Sequence, residues 1–304
     1  MHISRRDFLR YCGISAAALG LTGTDLMKLG ELLASTSGPQ VLWLVGSSCT
    51  GCSVSFLNYI STTSPTSAAD ILVNKINLTY HPSLMATAGQ DAAAIAEKAA
   101  VSGGYILVVE GGVPTAFGGG ACIAWTYNGK DVTFQDAVKR LASKASKIIC
   151  IGNCSAYGGV PAAYPNETGV KSVAAVTGKT TINIAGCPPH PDWFVWAVVQ
   201  LLLNKPFSLD SSGRPAALFG KSVHDMCPRK GTDERKNYGV EGGCLKELGC
   251  RGPQTRANCP AVKWNNKISW CIDANVPCIG CTSPDFPRTP LMKVGEGSGS
   301  ENDD

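Results

Sequence analysis

The stretch Val41-Leu42-Trp43-Leu44-Val45-Gly46-Ser47-Ser48-Cys49-Thr50-Gly51-Cys52 carries the reading of the whole chain. A short apolar run that stops at glycine is the pattern of a buried parallel strand. Two cysteines three residues apart follow at once, and a helical stretch runs from about Ser53 to Ile60. Outward from there the pattern repeats. Lys75 to Tyr80 reads as a weaker strand, Ala92 to Ala100 as an alanine-rich helix, and Tyr105 to Val109 as a strong strand running into Glu110-Gly111-Gly112. Thr133 to Ser143 has helical amphipathicity. Lys147 to Gly152 and Thr180 to Gly186 read as strands, and Pro191 opens a helix to about Leu203. Strands alternating with helices predict an α/β fold with a parallel sheet covered on both faces.

Cysteines fall just past three of these strand ends: Cys49 and Cys52 after Gly46, Cys154 after Gly152, and Cys187 after Gly186. Doubly wound sheets bind ligands outside the carboxyl ends of their strands, where the strand order reverses. Four thiolates from three such loops can meet at one point. The first turn of the helix after Cys52 would offer free N–H groups to an anionic cluster there. A lone Cys-x-x-Cys is equally a thioredoxin-like pair or half a zinc site. The set of four favours a metal cluster, and Pro188 after Cys187 fits the Cys-Pro ending of iron–sulfur ligand runs. Cys150, inside an apolar strand, and Cys122, without a spaced partner, read as small core residues.

The 304 residues are 44% hydrophobic and 16% charged, which excludes whole-chain disorder, and a net charge of +4 gives no case for nucleic acid. Residues 1–34 read as a twin-arginine export signal: Arg5-Arg6 with Phe8-Leu9, then an apolar run from Tyr11 to Leu21 too short to span a bilayer. Cleavage is expected near Ala34, in a protein destined for the periplasm. Of 14 cysteines, Cys12 leaves with the signal, and an odd remainder suits no fully paired disulfide framework. The expected domains are 35–215 and 216–290, with a disordered Gly/Ser/acidic tail at 291–304 and no transmembrane anchor.

From about Ala216 apolar periodicity fades, and Cys227, Cys244, Cys250, Cys259, Cys271, Cys278 and Cys281 follow. Glycine, proline and cysteine stand where a core should be, so metal binding is expected to supply the missing stability. With His224, three residues before Cys227, these make eight ligands, enough for two four-ligand sites.

Cys49-Thr-Gly-Cys52-Ser53, Gly152-Asn-Cys154-Ser-Ala-Tyr-Gly158-Gly159, Gly186-Cys187-Pro-Pro-His-Pro191, His224-x2-Cys227, Cys244-x5-Cys250, Cys259 and Cys278-x2-Cys281 together resemble the small subunit of nickel–iron hydrogenases. The likeness runs from the signal to about Pro287. It implies a flavodoxin-like sheet domain followed by an irregular, cluster-stabilised C-terminal domain. The implied proximal [4Fe-4S] ligands are Cys49, Cys52, Cys154 and Cys187, and the distal ones His224, Cys227, Cys244 and Cys250. The medial ligands would include Cys259, Cys278 and Cys281. Many members have Trp-Pro where this chain has Trp270-Cys271, so Cys271 can add a fourth thiolate. A medial [4Fe-4S] cluster is expected, as in the nickel–iron–selenium branch, and [3Fe-4S] if Cys271 does not ligate. Gly51 and Gly159 stand where oxygen-tolerant members carry extra cysteines, so an ordinary four-cysteine proximal cluster is expected. Glu110 matches a carboxylate near that cluster in relatives, and reads equally as an acid capping a strand end.

The implied function is an electron relay for hydrogenase. Electrons pass between a nickel–iron site in a large subunit and an external carrier such as a c-type cytochrome, with His224 at the exit. Arg229, Lys230, Arg235 and Lys236 read better as a solvated loop than as a docking patch. Two rivals remain. One is an iron–sulfur subunit of another exported oxidoreductase, since the proximal set also resembles quinone-reductase subunits. The other is a zinc- or disulfide-stabilised binding protein.

Overall fold

The computed structural model describes residues 38–61 and 65–287, together with Thr22 and Thr24. Apart from those two threonines, the expected signal with Cys12 and the Ala34 cleavage point lies outside the described residues, as does the expected tail 291–304.

Strand β1 (Gln40–Val45) leads into helix α1 (Gly51–Leu57), then α2 (Ala68–Asn74), β2 (Asn77–Tyr80), α3 (Gly89–Ser102) and β3 (Ile106–Glu110). A hairpin, β4 (Ile123–Tyr127) and β5 (Lys130–Thr133), precedes α4 (Phe134–Lys144) and β6 (Lys147–Ile151). Short helices α5 (Asn153–Tyr157) and α6 (Val173–Thr177), strand β7 (Ile182–Ile184) and helix α7 (Pro191–Leu202) complete the unit. Five strands form one sheet in the order β2-β1-β3-β6-β7, every pairing parallel. Leaving out the hairpin, this is the flavodoxin-like order, with its reversal between β1 and β3.

Alternate residues of each strand serve opposite cores. Val41, Trp43, Ile106, Val108, Ile149 and Ile184 face α1 and α7 through Phe56, Phe194 and Val198. Leu42, Leu44, Leu107, Val109 and Cys150 face α3 and α4 through Ala93, Ala96, Phe134 and Leu141. Thr133, expected inside α4, is instead its N-cap and accepts the Asp136 N–H. Strand-and-helix alternation passes over the hairpin, although its signal is strong. Asn128 and Gly129 both take positive φ (50° and 72°), as a two-residue hairpin turn requires.

Beyond Ala216 the regular structure among the described residues shrinks to two four-residue helices, Ala216–Phe219 and Cys259–Val262, and one 3-10 turn, Lys246–Leu248. This segment is not without a core. Leu218, Phe219, Val223, Leu245, Leu248, Trp270 and Ile272 are buried in the same cluster as Trp43 and Phe194. The expectation that glycine, proline and cysteine stand where a core should be is corrected here, because the sheet's first face lends the segment apolar surface. Polar ties reinforce the join. Buried Arg214 pairs with Asp210 at 2.8 Å and donates to the Thr282 carbonyl. Trp193 donates to Asn258 across the same seam. Among the described residues no helix is long and apolar enough to cross a membrane.

Candidate metal centres

At the carboxyl edge of the sheet, the loop after β1 is pinned to the end of β3: Gly46 N–H donates to the Glu110 carbonyl at 2.8 Å, and Ser47 and Gly112 exchange hydrogen bonds. Thr50 takes left-handed φ (62°) and turns the chain into α1, with Cys49 before the turn and Cys52 after it. Cys49 is exposed and Cys52 is buried. Cys154 sits in α5 directly after β6, and Cys187 follows β7.

Asn153 holds these last two loops together. Its N–H donates to the Gly186 carbonyl, its Oδ1 accepts the Gly186 N–H, and its Nδ2 donates to Ser283 O. Gly152 makes room for the first pair. Its φ is +86°, and a Cβ there would lie 2.5 Å from Cys52 Sγ. The four thiols are close enough to act on one another: burial pushes Cys52 up, and Glu110, Cys154, Cys187 and Cys49 push it further. Cys154 is raised to about 11, by burial first and then by Cys187.

Glu110 ends β3 beside Cys52. Its fully buried carboxylate accepts Ser48 Oγ and Cys52 N–H at Oε1, and Trp43 Nε1, Ser53 N–H and Ser53 Oγ at Oε2. It caps the first turn of α1 and lies beside a site cysteine. The expectation of free N–H groups at that turn is corrected here: those of Cys52 and Ser53 are already taken by Glu110.

The other eight candidates form two further sets. Cys227 feels Cys250 and Cys244, and a Cβ on Gly252 would lie 3.5 Å from both Cys250 Sγ and His224 Cβ. Cys259 is pushed up by burial and then by Cys281, Cys278 and Cys271. Cys281 is raised to about 12, by burial and then by Cys278 and Cys271. Cys271 thus acts on the Cys259 set, although that residue is exposed, and its own rise, due first to burial, is increased by Cys250 of the neighbouring set. The sets abut. The Cys187 backbone N–H reaches the Cys281 thiol, and the Cys278 N–H donates to Cys250 Sγ at 3.3 Å.

Cys150 and Cys122 stand apart. Burial raises both, and no other thiol contributes to either shift. No disulfide links the described cysteines, and among the described residues no three His, Cys, Asp or Glu side chains are grouped to hold a single metal ion. Three residues of the basic loop are engaged internally: Arg229 donates to Asn275 Oδ1 and Ile272 O, Lys230 pairs with Asp225, and Arg235 donates to Gly242 O. Sequence reasoning missed Asn153 and His81, whose bonds reach residues 28 to 130 positions away.

A flavodoxin-like sheet with cysteine loops at its switch point, followed by a cysteine-rich irregular segment, defines a class of oxidoreductase subunits. Comparison with known proteins narrows it. The family model of the NADH ubiquinone oxidoreductase 20 kDa subunit matches residues 49–201, and that of the C-terminal region of the NiFe/NiFeSe hydrogenase small subunit matches residues 219–292. The chain is 40% identical to the periplasmic [NiFeSe] hydrogenase small subunit of Desulfomicrobium baculatum, over 94% of this chain and 97% of that one. It is 41% identical to the periplasmic [NiFe] hydrogenase small subunit of Solidesulfovibrio fructosivorans, over 96% and 94%. The recombinant [NiFeSe] hydrogenase structure from Desulfovibrio vulgaris Hildenborough aligns with a TM-score of 0.78 at 38% identity, covering 86% of this chain and 99% of that one. The chain belongs to the small subunits of [NiFe]/[NiFeSe] hydrogenases.

Proposed function

We propose that this subunit relays electrons between a nickel–iron site in a large subunit and an external carrier through three iron–sulfur clusters. The observation that carries the relay is the contact between the three thiol sets. They meet in series, Cys187 against Cys281 and Cys278 against Cys250. The donor chemistry fits the clusters. Twelve candidate ligands comprise eleven thiols and His224, and glycines stand where a Cβ would crowd the sulfurs of Cys49 and Cys52. A cluster bridged by sulfide spreads its cysteines around a cube, which suits thiols that feel one another without closing on one ion.

Cys49, Cys52, Cys154 and Cys187 would hold the proximal cluster. Cys259, Cys271, Cys278 and Cys281 would hold a medial [4Fe-4S] cluster, and His224, Cys227, Cys244 and Cys250 the distal one. Bound there, the clusters supply one-electron carriers. The chain's own residues orient the sulfurs: Glu110 fixes the turn at Cys52, Asn153 joins the loops of Cys154 and Cys187, and Arg214 holds the segment carrying Cys281.

Exposed Val54 and Leu57 on α1, Phe117 beyond β3, and Val160 and Tyr164 beyond α5 follow the same strand ends. Exposed apolar groups in the segments that follow the candidate proximal ligands suit burial against the large subunit. The names of the relatives and Arg5-Arg6 support a periplasmic location. The acceptor in this reading is an external carrier such as a c-type cytochrome. The first family match favours a second reading, an iron–sulfur subunit of another exported oxidoreductase, but the match over residues 219–292 does not extend to it.

Iron and acid-labile sulfide, measured in the complex purified through this chain and corrected for the partner's iron, test the proposal. About twelve of each per chain are expected. Near-zero sulfide with zinc in its place removes the relay.

A further inference from the structure

His81 belongs to none of the three thiol sets. It follows β2, is fully buried, and lies against Trp43 with ring centroids 5.1 Å apart. Its hydrogen bonds identify its tautomer. Nδ1 accepts the Ser83 backbone N–H at 3.1 Å. An amide only donates, so the ring proton sits on Nε2. Nε2 lies 3.1 Å from Ser53 Oγ and donates to it. The Ser53 hydroxyl proton is then directed at Glu110 Oε2, the acceptor on its other side. Burial lowers the imidazole pKa to about 4, in keeping with a neutral, singly protonated ring. Donors thus run from the end of β2, through the first turn of α1, to the end of β3, and finish on the carboxylate that accepts the Cys52 N–H at 3.1 Å.

We propose that His81 is a positioning residue for the proximal site: through Ser53 it orients the Glu110 carboxylate, and so fixes the Cys52 backbone and the negative charge beside the Cys52 sulfur. This rests on the proximal-cluster reading above. A polarised chain strengthens each of its members, so losing the outer donor weakens the inner bond. With the Ser53 proton less firmly held on Oε2, the Glu110 charge is less neutralised and the proximal midpoint potential falls.

The test uses the assembled complex carrying His81→Leu, His81→Gln or Ser53→Ala. Glutamine keeps an N–H near the place of Nε2, and Ser53→Ala removes the inner hydroxyl. Two readouts are taken: the midpoint potentials of the proximal and distal clusters by paramagnetic redox titration, and hydrogen exchange at the Cys52 and Ser53 amides. Ser53→Ala should lower the proximal midpoint most and His81→Leu less, with His81→Gln near wild type and the distal midpoint still in all three. Cys52 exchange should accelerate about tenfold or more in His81→Leu. If His81→Leu fails to assemble, Ser53→Ala and His81→Gln still decide the matter. A wild-type midpoint in Ser53→Ala, a shift in His81→Gln equal to that of Ser53→Ala, or wild-type potential and exchange in an assembled His81→Leu complex overturns the proposal. Absence of a proximal signal from the wild-type complex would instead remove the cluster reading on which it stands.

Discussion

Replacing Gly152 with alanine should strip the proximal site while leaving the fold standing. Gly152 has φ +86° and ψ 159°, a region that is nearly glycine-only and costs a side-chain-bearing residue about 1–3 kcal/mol. The new Cβ would also sit 2.5 Å from Cys52 Sγ, with Gly186 O at 3.5 Å and the Pro189 ring at 3.9 Å closing the retreat. Overpacking of this kind costs about 1–3 kcal/mol. Together the two reach about 2–6 kcal/mol, against a typical stability of about 5–15 kcal/mol. The cheaper escape is for Cys52 to swing its sulfur away. Gly104 is the control, since its φ is +84° and a Cβ there would meet nothing within 4 Å. Gly104→Ala places a side chain at a similar positive φ without touching a thiol. Iron, sulfide and the unfolding midpoint are measured on both purified complexes. Gly152→Ala should hold about four fewer irons per chain and Gly104→Ala the full number. Full iron in Gly152→Ala, with a midpoint no lower than that of Gly104→Ala, refutes the reasoning.

Cys271→Ser should cost the oxidised complex about one iron per chain and produce a three-iron paramagnetic signal that the wild type lacks; an unchanged spectrum removes Cys271 from the medial set. Burial depresses the His81 pKa from 6.5 to about 4, so the folded state resists protonation. About 3 kcal/mol of stability is then present above pH 6.5 and lost as the pH falls towards 4, and proton uptake on unfolding at pH 5 should drop by about one in His81→Gln. Arg214→Ala breaks a buried ion pair and a bond to Thr282 O, and should lower the unfolding free energy by about 3–5 kcal/mol in denaturant titrations. Cys150→Ala should keep full iron, because no other thiol contributes to the Cys150 shift; iron loss there would contradict its placement in the core.

The sheet and its cysteine loops were legible because one physical rule covers both. Apolar runs closing on glycine mark where buried strands end, and β1, β3 and β6 end within a residue of that reading. Cysteines placed just beyond such ends reach the ligand-binding edge whatever the loop details. The irregular segment offered a list of candidate ligands and was illegible as a fold, since chains of turns carry no periodicity. What escaped is long-range and polar. Asn153 bridging to Gly186 and Ser283, and Glu110 collecting five donors from Trp43, Ser48, Cys52 and Ser53, depend on juxtaposed loops rather than on spacing. The occupied amides of α1 show the consequence. A helix start near a thiol suggests free donors, but a carboxylate at the neighbouring strand end claims them first.

Thiol acidity alone does not separate ligands from core. Cys150 and Cys281 are both pushed to about 12, and burial is the leading cause for each. Their neighbours differ. Cys150 has Thr181 and Ser155 hydroxyls easing its shift, whereas Cys281 has Cys278, Cys271 and Cys187 adding to it. A lone buried thiol is at rest in its protonated form. Crowded buried thiols are not at rest when ionised, because each thiolate raises the cost of the next. A bound cation reverses that sign, turning mutual repulsion into a shared attraction. The twelve candidate ligands are thus most favourable together when iron is present. The sheet domain has two cores of its own, while the Cys259 and Cys227 sets borrow theirs from its first face. If the proposed clusters form on these residues, their assembly and the docking of the C-terminal segment onto that face would be linked steps, each supplying stability that the other lacks.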